Sequence, residues 1–236
     1  KIKANFDPSV TSWFERQFSA ATDCQVKSWD ALGKGSPNTL IAAPTGSGKT
    51  LAAFLRAIDD LTKLAKRGAL EEKTRILYVS PLKALSNDIR KNLEEPLKQM
   101  REGMTKESEE NIEQIRVGVR TGDTKPSERA FMIKHPPHIL VTTPESLYIL
   151  LTSDSGRTLL EDVDTVIVDE IHSLMNSKRG AHFSLSLARL ENLCRERPKR
   201  IGISATQRPI WGVAEFLTGK SRAEIESSGE CEIIDE

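Results

Sequence analysis

Ala43-Pro44-Thr45-Gly46-Ser47-Gly48-Lys49-Thr50 is the stretch from which the rest of the chain can be read. It fits the phosphate-loop pattern, with Ala at the first glycine position, and it closes on Gly-Lys-Thr. Residues 39–42, just before it, form a short apolar run that reads as a buried strand. Residues 51–67, just after it, space Leu51, Phe54, Leu55, Ile58, Leu61 and Leu64 as one helical face. Strand, glycine loop and helix are the context the motif requires. Backbone N–H groups of such a loop, together with a helix N-terminus, form a ready anion site. Lys49 would place a point charge on the β- and γ-phosphates, and the Thr50 hydroxyl would hold Mg²⁺. Gly46 and Gly48 would also suit a plain turn with positive φ, but a plain turn leaves Gly-Lys-Thr unexplained. A nucleoside triphosphate is the expected ligand, with Thr45, Gly46, Ser47, Gly48, Lys49 and Thr50 around it.

The 236 residues, 38% of them hydrophobic, suffice for one large domain with its own core. Short apolar runs alternating with amphipathic stretches predict an α/β fold, a mainly parallel sheet with helices on both faces. Lys plus Arg and Asp plus Glu each total 34, so the net charge is zero. Nucleic-acid binding, if present, must then come from local groups. Cys24, Cys194 and Cys231 are far apart and form no C-x-x-C pair, which predicts reduced thiols in a cytosolic protein rather than a disulfide or zinc framework. No apolar run approaches the roughly 18 residues of a membrane span, and the N-terminus is not signal-like, so membrane and secretion readings fail. The chain starts without Met and ends in an acidic segment, which suggests a piece of something longer.

Ahead of the first strand, residues 6–35 carry Trp13, Phe14, Phe18, Val26, Trp29 and Leu32 at helical spacing, ending on Gly33 and Gly35. Gln25 is the polar residue among them. Further strands are expected at residues 75–80, 115–120, 138–142, 164–168 and 200–204, with an edge strand at 232–234. Helices are expected from Pro81, over 127–134, from Thr143, over 181–194 and over 213–217. Residues 98–114 read as a solvated helix end and loop. In an open parallel sheet, ligands bind outside the carboxyl ends of the strands. Here those ends carry, in order, Gly-Lys-Thr, Pro-Leu-Lys, Thr-Gly-Asp, Thr-Pro-Glu, Asp-Glu-Ile-His and Ser-Ala-Thr. These loops should line one edge of the domain.

Asp169 closes the strand at 164–168 and would place a carboxylate near the phosphate loop, holding Mg²⁺ directly or through water. Glu170 could orient or deprotonate an attacking water. His172 has no second His or Cys beside it to make a metal site, and hydrogen bonding near the γ-phosphate is the alternative. Lys83, Arg120, Lys125, Lys178 and Arg179 are candidate contacts to a phosphate backbone. The hydroxyls of Thr121, Thr142 and Thr143, with backbone N–H groups at helix starts, could hold phosphates without net positive charge.

Taken together and in this order, the motifs resemble the first RecA-like motor domain of a superfamily 2 helicase. Asp169-Glu-Ile-His172 followed by Lys178-Arg-Gly180 and a leucine-rich helix is similar to the large helicase-related (Lhr-type) members. So are Trp13-Phe14, Gln25 and Trp29, and Phe216-Leu-Thr-Gly219. The resemblance implies ATP and Mg²⁺ as cofactors and divides the chain into an N-terminal helical segment, 1–36, and a RecA-like ATP-binding domain, 37–236. It implies that Gln25 contacts the adenine and that Lys49, Asp169, Glu170 and His172 carry the chemistry. Pro81, Leu82, Lys83, Thr121, Gly122, Thr143, Pro144 and Glu145 would touch one nucleic-acid strand. Ser204 and Thr206 would couple the γ-phosphate site to that strand. The implied activity is ATP-driven movement 3′ to 5′ on single-stranded DNA, often in repair, in the cytoplasm and, for a prokaryote, at the nucleoid. Such motors take arginine fingers from a second RecA-like domain, worth about 10³–10⁵ in rate, so slow hydrolysis is expected of this chain alone. An RNA track, an ATP-gated binding module without turnover and a P-loop phosphotransferase are the alternatives. The last leaves Thr-Pro-Glu, Thr-Gly-Asp and Ser-Ala-Thr without a role.

Overall fold

The computed structural model describes residues 6–81, 93–102 and 115–236. Helices α1 (Pro8–Gln17) and α2 (Asp23–Gly33) precede strand β1 (Asn38–Ala42) and helix α3 (Lys49–Lys66). Then follow β2 (Ile76–Val79), α4 (Glu95–Glu102), β3 (Val117–Arg120), α5 (Pro126–Lys134), β4 (Ile139–Thr142), α6 (Pro144–Leu151) and α7 (Asp154–Leu160). Strand β5 (Thr165–Val168) leads through a single 3-10 turn (Ile171–Ser173) to α8 (Lys178–Leu193). The chain closes with β6 (Lys199–Ser204), α9 (Ile210–Thr218), α10 (Arg222–Ser228) and β7 (Cys231–Asp235). Every expected strand is present. Of the expected helix opening at Pro81, residues after 81 lie outside the described residues.

The strands form one sheet in the order β3-β4-β2-β5-β6-β1-β7, and all neighbouring pairs are parallel. Side chains alternate between its faces, and both faces are covered. Ile41, Ile76, Tyr78, Ile139, Val141, Ile167 and Ile203 enter one core with α1, α2 and α3. Leu40, Leu77, Val79, Leu140, Val166 and Val168 enter the other with α6, α7, α8, α9 and α10. That is why the strands read as continuous apolar runs rather than alternating ones.

Because the sheet is parallel, all carboxyl ends lie on one edge, and the register levels them. Ala42 pairs with Ser204, Val168 with Gly202, Val79 with both Val168 and Thr142, and Arg120 with Thr142. The strand ends that the six polar motifs follow therefore stand in one row. The N-terminal helices are fixed to the same core: Trp29 Nε1 donates to the Ala52 carbonyl at 3.1 Å, and the Phe6, Phe14 and Trp29 rings pack edge to face. Removing one such buried ring would cost about 3–5 kcal/mol.

The three cysteines are free. Burial pushes the Cys194 thiol up to about 11 and the Cys231 thiol to about 12, so both are inert as nucleophiles. Among the described residues, no helix is long and apolar enough to cross a membrane.

Candidate nucleotide-binding site

The phosphate loop leaves β1 and turns sharply enough that Gly46 and Gly48 both take positive φ, 86° and 82°. Ser47 N–H donates to the Pro44 carbonyl at 3.3 Å, closing the turn. Gly48 is the cap residue of α3 and its backbone is left-handed, a conformation that costs an L side chain about 1–2 kcal/mol. A second constraint acts on the same residue: a Cβ there would meet Gln25 Cδ at 3.0 Å and its Nε2 closer still. The loop is thus seated directly against α2.

Gln25 is buried, and its side chain works locally. Its Oε1 accepts the Thr22 N–H at 3.0 Å while Thr22 Oγ1 accepts the Gln25 N–H at 3.2 Å, a reciprocal capping box at the start of α2. Gln25 Nε2 reaches toward the Gly48 carbonyl at 3.5 Å, and the Thr22 hydroxyl donates to the Ser47 carbonyl at 2.7 Å. Helix α2 therefore braces two consecutive loop carbonyls.

Lys49 opens α3 and is 6% exposed. Its Nζ donates to the Pro44 carbonyl at 3.3 Å; among the described residues no carboxylate forms an ion pair with it. A buried ammonium held by one neutral carbonyl calls for an anion.

Asp169 follows β5, with the aromatic path Phe54–Tyr78 behind it at 4.6 Å between ring centroids. The Tyr78 hydroxyl donates to Asp169 Oδ2, and Asp169 Oδ1 accepts the Glu170 N–H at 2.9 Å. Glu170 sits at φ 46°, a left-handed conformation rare for a glutamate. His172 then faces it, Nε2 lying 3.3 Å from Glu170 Oε2. On its other side His172 Nδ1 accepts the Ala205 N–H at 3.2 Å and lies 3.3 Å from Ser204 Oγ.

Phe18, Thr22, Gln25, Thr45, Gly46, Gly48, Lys49, Thr50, Ser80, Asp169 and Glu170 share one cleft of about 570 Å³. Nearly all the expected nucleotide residues are brought together here. Ser47 contributes its carbonyl to Thr22 instead, and His172 and Ser204 stand behind Glu170. Thr206 points elsewhere, donating to the Glu236 carbonyl at 3.2 Å. The donor set fits a nucleoside triphosphate with Mg²⁺: a glycine loop leading into a helix N-terminus, a buried cation, and Thr50 and Asp169 lining the same cleft. Among the described residues no cluster of three His, Cys, Asp or Glu could hold a metal unaided. Mg²⁺ needs no such cage, because it keeps waters and takes oxygens from substrate phosphates.

Sequence reasoning passed over Phe18 in this role. It lies 41% exposed at the cleft, with one side stacked on Phe14 at 4.8 Å. Its signal was available: an aromatic seven residues ahead of Gln25, at the end of a helix whose other rings are buried.

Along the row of strand ends, the outer half is arranged differently. Thr121 N–H donates to Thr124 Oγ1 at 2.9 Å, and Arg129 holds the carbonyls of Gly122 and Thr124 at 2.7 and 2.6 Å, so this loop is pinned from below. Thr142, expected among the phosphate donors, is fully buried and donates to the Arg120 carbonyl at 2.7 Å; strand pairing uses it up. Thr143 caps α6, accepting the Ser146 N–H at 3.3 Å. Pro144 is buried in the first turn. Glu145 is gripped by Arg179, Nε to Oε1 at 2.5 Å and Nη2 to Oε2 at 3.0 Å, and these bonds hold its carboxyl below the usual range. The remaining Arg179 nitrogen, Nη1, donates to the Pro81 carbonyl at 2.8 Å. Arg179 is thereby committed to protein partners. Leu82 and Lys83 lie outside the described residues; Lys125 and Lys178 are exposed.

Comparison with known proteins agrees with this geometry. The profile of the DEAD/DEAH box helicase family matches residues 22–210. The chain is 49% identical over its full length to the ATP-dependent helicase Lhr-Core of Methanothermobacter thermautotrophicus, and spans 26% of that protein. It is 48% identical over 91% of its length to the Lhr helicase/uracil glycosylase of Escherichia coli K12, spanning 14% of it. The solved structure of Mycobacterium smegmatis helicase Lhr bound to ssDNA and AMP-PNP superposes with a TM-score of 0.83 at 45% identity. That match covers 98% of this chain and 28% of the other. The resemblance to Lhr-type helicases is borne out. The chain spans about a quarter, or less, of these relatives.

Proposed function

The chain belongs to the DEAD/DEAH box helicase family, and we propose that it is the first ATP-binding motor domain of an ATP-dependent DNA helicase moving 3′ to 5′ on single-stranded DNA. The observation that carries this reading is the link Glu170–His172–Ala205, which ties the nucleotide cleft to the loop after β6. ATP with Mg²⁺ would supply the phosphoryl-transfer chemistry in the cleft. Lys49 would neutralise the β- and γ-phosphates, Thr50 and Asp169 would hold the metal, and Phe18 would offer its free face to the base beside Gln25. Glu170 would take the proton of the attacking water, with its side chain steadied by His172 Nε2. Ser204, between His172 and the sheet, would couple that site to the strand-facing loops; Thr206 would join it on reorientation.

Thr121, Gly122, Thr143, Pro81 and the first turn of α6 would bind the DNA backbone, chiefly through hydroxyls and N–H groups. With net charge zero, such short-range contacts suit the chain better than bulk attraction. The solved M. smegmatis relative, bound to ssDNA and AMP-PNP, supports both ligands. A second RecA-like domain would complete the nucleotide site with arginine fingers. A cytoplasmic setting, at the nucleoid in a prokaryote, follows from this activity.

The test is the ATPase rate of a polypeptide carrying both motor halves, with ssDNA, with ssRNA and with neither, beside Glu170→Gln. Stimulation by DNA that Glu170→Gln abolishes supports the reading. Equal stimulation by RNA shifts the substrate, and stimulation by neither sinks the motor.

A further inference from the structure

Helices α6 and α8 lie side by side on the face of the sheet away from α3, and their outer surface has a composition that neither core packing nor the cleft explains. The Tyr148 ring stands 4.5 Å from the His182 ring and 5.7 Å from the Arg189 guanidinium. Beside this stack Ile149 and Leu185 are 52% and 51% exposed. A few residues further on, Arg157 and Arg189 line a shared cavity of about 350 Å³ with Asn192, over Leu151 and Leu193. Several arginines of this protein are matched to carboxylates, as in Arg75 with Asp164, Arg195 with Glu161 and Arg200 with Glu191. Arg157 and Arg189 have no carboxylate or carbonyl partner among the described residues. Two arginines lining one cavity that no acid lines make an anion receptor, the chemistry that recognises phosphate.

We propose that this face is a second contact for single-stranded nucleic acid, continuous with the strand-facing edge. The proposal rests on the motor reading above. Both helices begin on that edge, α6 behind Thr143 and α8 at Lys178. From Lys178 to Arg189 is three helical turns, about 16 Å, so a strand continuing a few nucleotides past the edge would pass His182 and Tyr148 and reach the arginine pair. Arg157 and Arg189 hold phosphate; Tyr148 and His182 offer rings to the bases, for which stacking is tolerant of sequence, and Ile149 and Leu185 add apolar contact. A protein of zero net charge gains a local basic and aromatic footprint this way.

The test measures anisotropy of labelled DNA across a salt series, in the polypeptide carrying both motor halves. It compares an oligonucleotide that fills only the strand-facing edge with one long enough to continue over α6 and α8. Arg157→Ala/Arg189→Ala should weaken the long oligonucleotide about tenfold and reduce its salt slope by about 1.4, roughly 0.7 for each phosphate of a single strand no longer neutralised. Short-oligonucleotide affinity and the ATPase rate it stimulates should not change. Tyr148→Ala should weaken the long oligonucleotide with no change of slope. Unchanged affinity and slope in the double variant, with wild type binding both lengths, overturns this inference and leaves the motor reading intact. Wild type binding neither overturns both. A poly-glutamate peptide whose binding the double variant abolishes, while DNA affinity stays put, overturns it in favour of an acidic protein partner.

Discussion

The backbone N–H of Ala205 donates to His172 Nδ1 at 3.2 Å. A backbone amide can only donate, so Nδ1 is the acceptor and the neutral ring keeps its proton on Nε2. Nε2 is the atom that faces Glu170 Oε2 at 3.3 Å. The loop after β6 thus chooses the tautomer that the carboxylate after β5 receives.

His172→Ala removes both ends of that link without touching the phosphate loop. Misplacing a catalytic group by about 1 Å can cost on the order of 10²-fold in rate. Nucleic-acid-stimulated kcat should fall by about 10- to 100-fold while the KM for ATP stays near wild type. Steady-state ATPase assays decide it, and a change in KM alone would mean that His172 serves nucleotide binding instead.

Gly48→Ala meets two obstacles, a left-handed φ of 82° and the side-chain amide of Gln25 in the space a Cβ would need. The conformational term alone is about 1–2 kcal/mol, and the clash adds to it. Denaturant unfolding should show the loss, and a fluorescent ATP analogue should bind poorly. Gly48→Ala/Gln25→Ala should recover only part of the stability, since it relieves the clash and leaves the strain.

Phe18→Ala should raise the KM for ATP about tenfold or more, because stacking of one base on an aromatic ring is worth roughly 1–3 kcal/mol. The kcat should hold. Stability should change little, since the ring is 41% exposed. Discrimination between ATP and CTP should narrow, and equal losses for both would show that Phe18 shapes the loop rather than the base site.

His138 supplies a pH dependence. It is 2% exposed, its Nδ1 accepts the Arg116 N–H at 3.0 Å, and burial, assisted by the Arg116 charge, lowers it from 6.5 to about 4. In the window between those values the unfolded chain binds the extra proton and the folded one does not, so stability rises with pH there. It should be fully present above about pH 6.5 and fall by roughly 2–4 kcal/mol toward pH 4. Urea midpoints at pH 7.5 and pH 5 measure it. His138→Asn keeps an acceptor for Arg116 and should flatten the curve.

The architecture was legible because its signals are local. The strand before Gly46, the helix after it and the apolar run before Asp169 each announce themselves within a dozen residues, and the parallel sheet follows from their alternation. Pairings across long separations were not legible. Tyr78 and Asp169 are 91 residues apart and Glu145 and Arg179 are 34 apart, and nothing periodic links them. Thr142 looked like a surface hydroxyl because its neighbour Thr143 is one, and only the register with Arg120 shows that it is consumed inside the sheet. Helices α7 and α10 are seven residues each, too short to produce a hydrophobic face. Their capping serines, Ser153 and Ser221, were the available clue. Arg157 and Arg189 each resemble any surface charge until the fold places them at one cavity.

Arg179 holds Glu145 with two nitrogens and the Pro81 carbonyl with a third. The tips of β2 and β4 and the root of α8 are therefore riveted at one point. None of the three can slip past the others without breaking charge-assisted bonds, so load applied to any one loop is shared by all. On the motor reading proposed above, a strand held at this edge would pull against loops that Arg179 cross-braces, so less of each stroke would be lost as stretch.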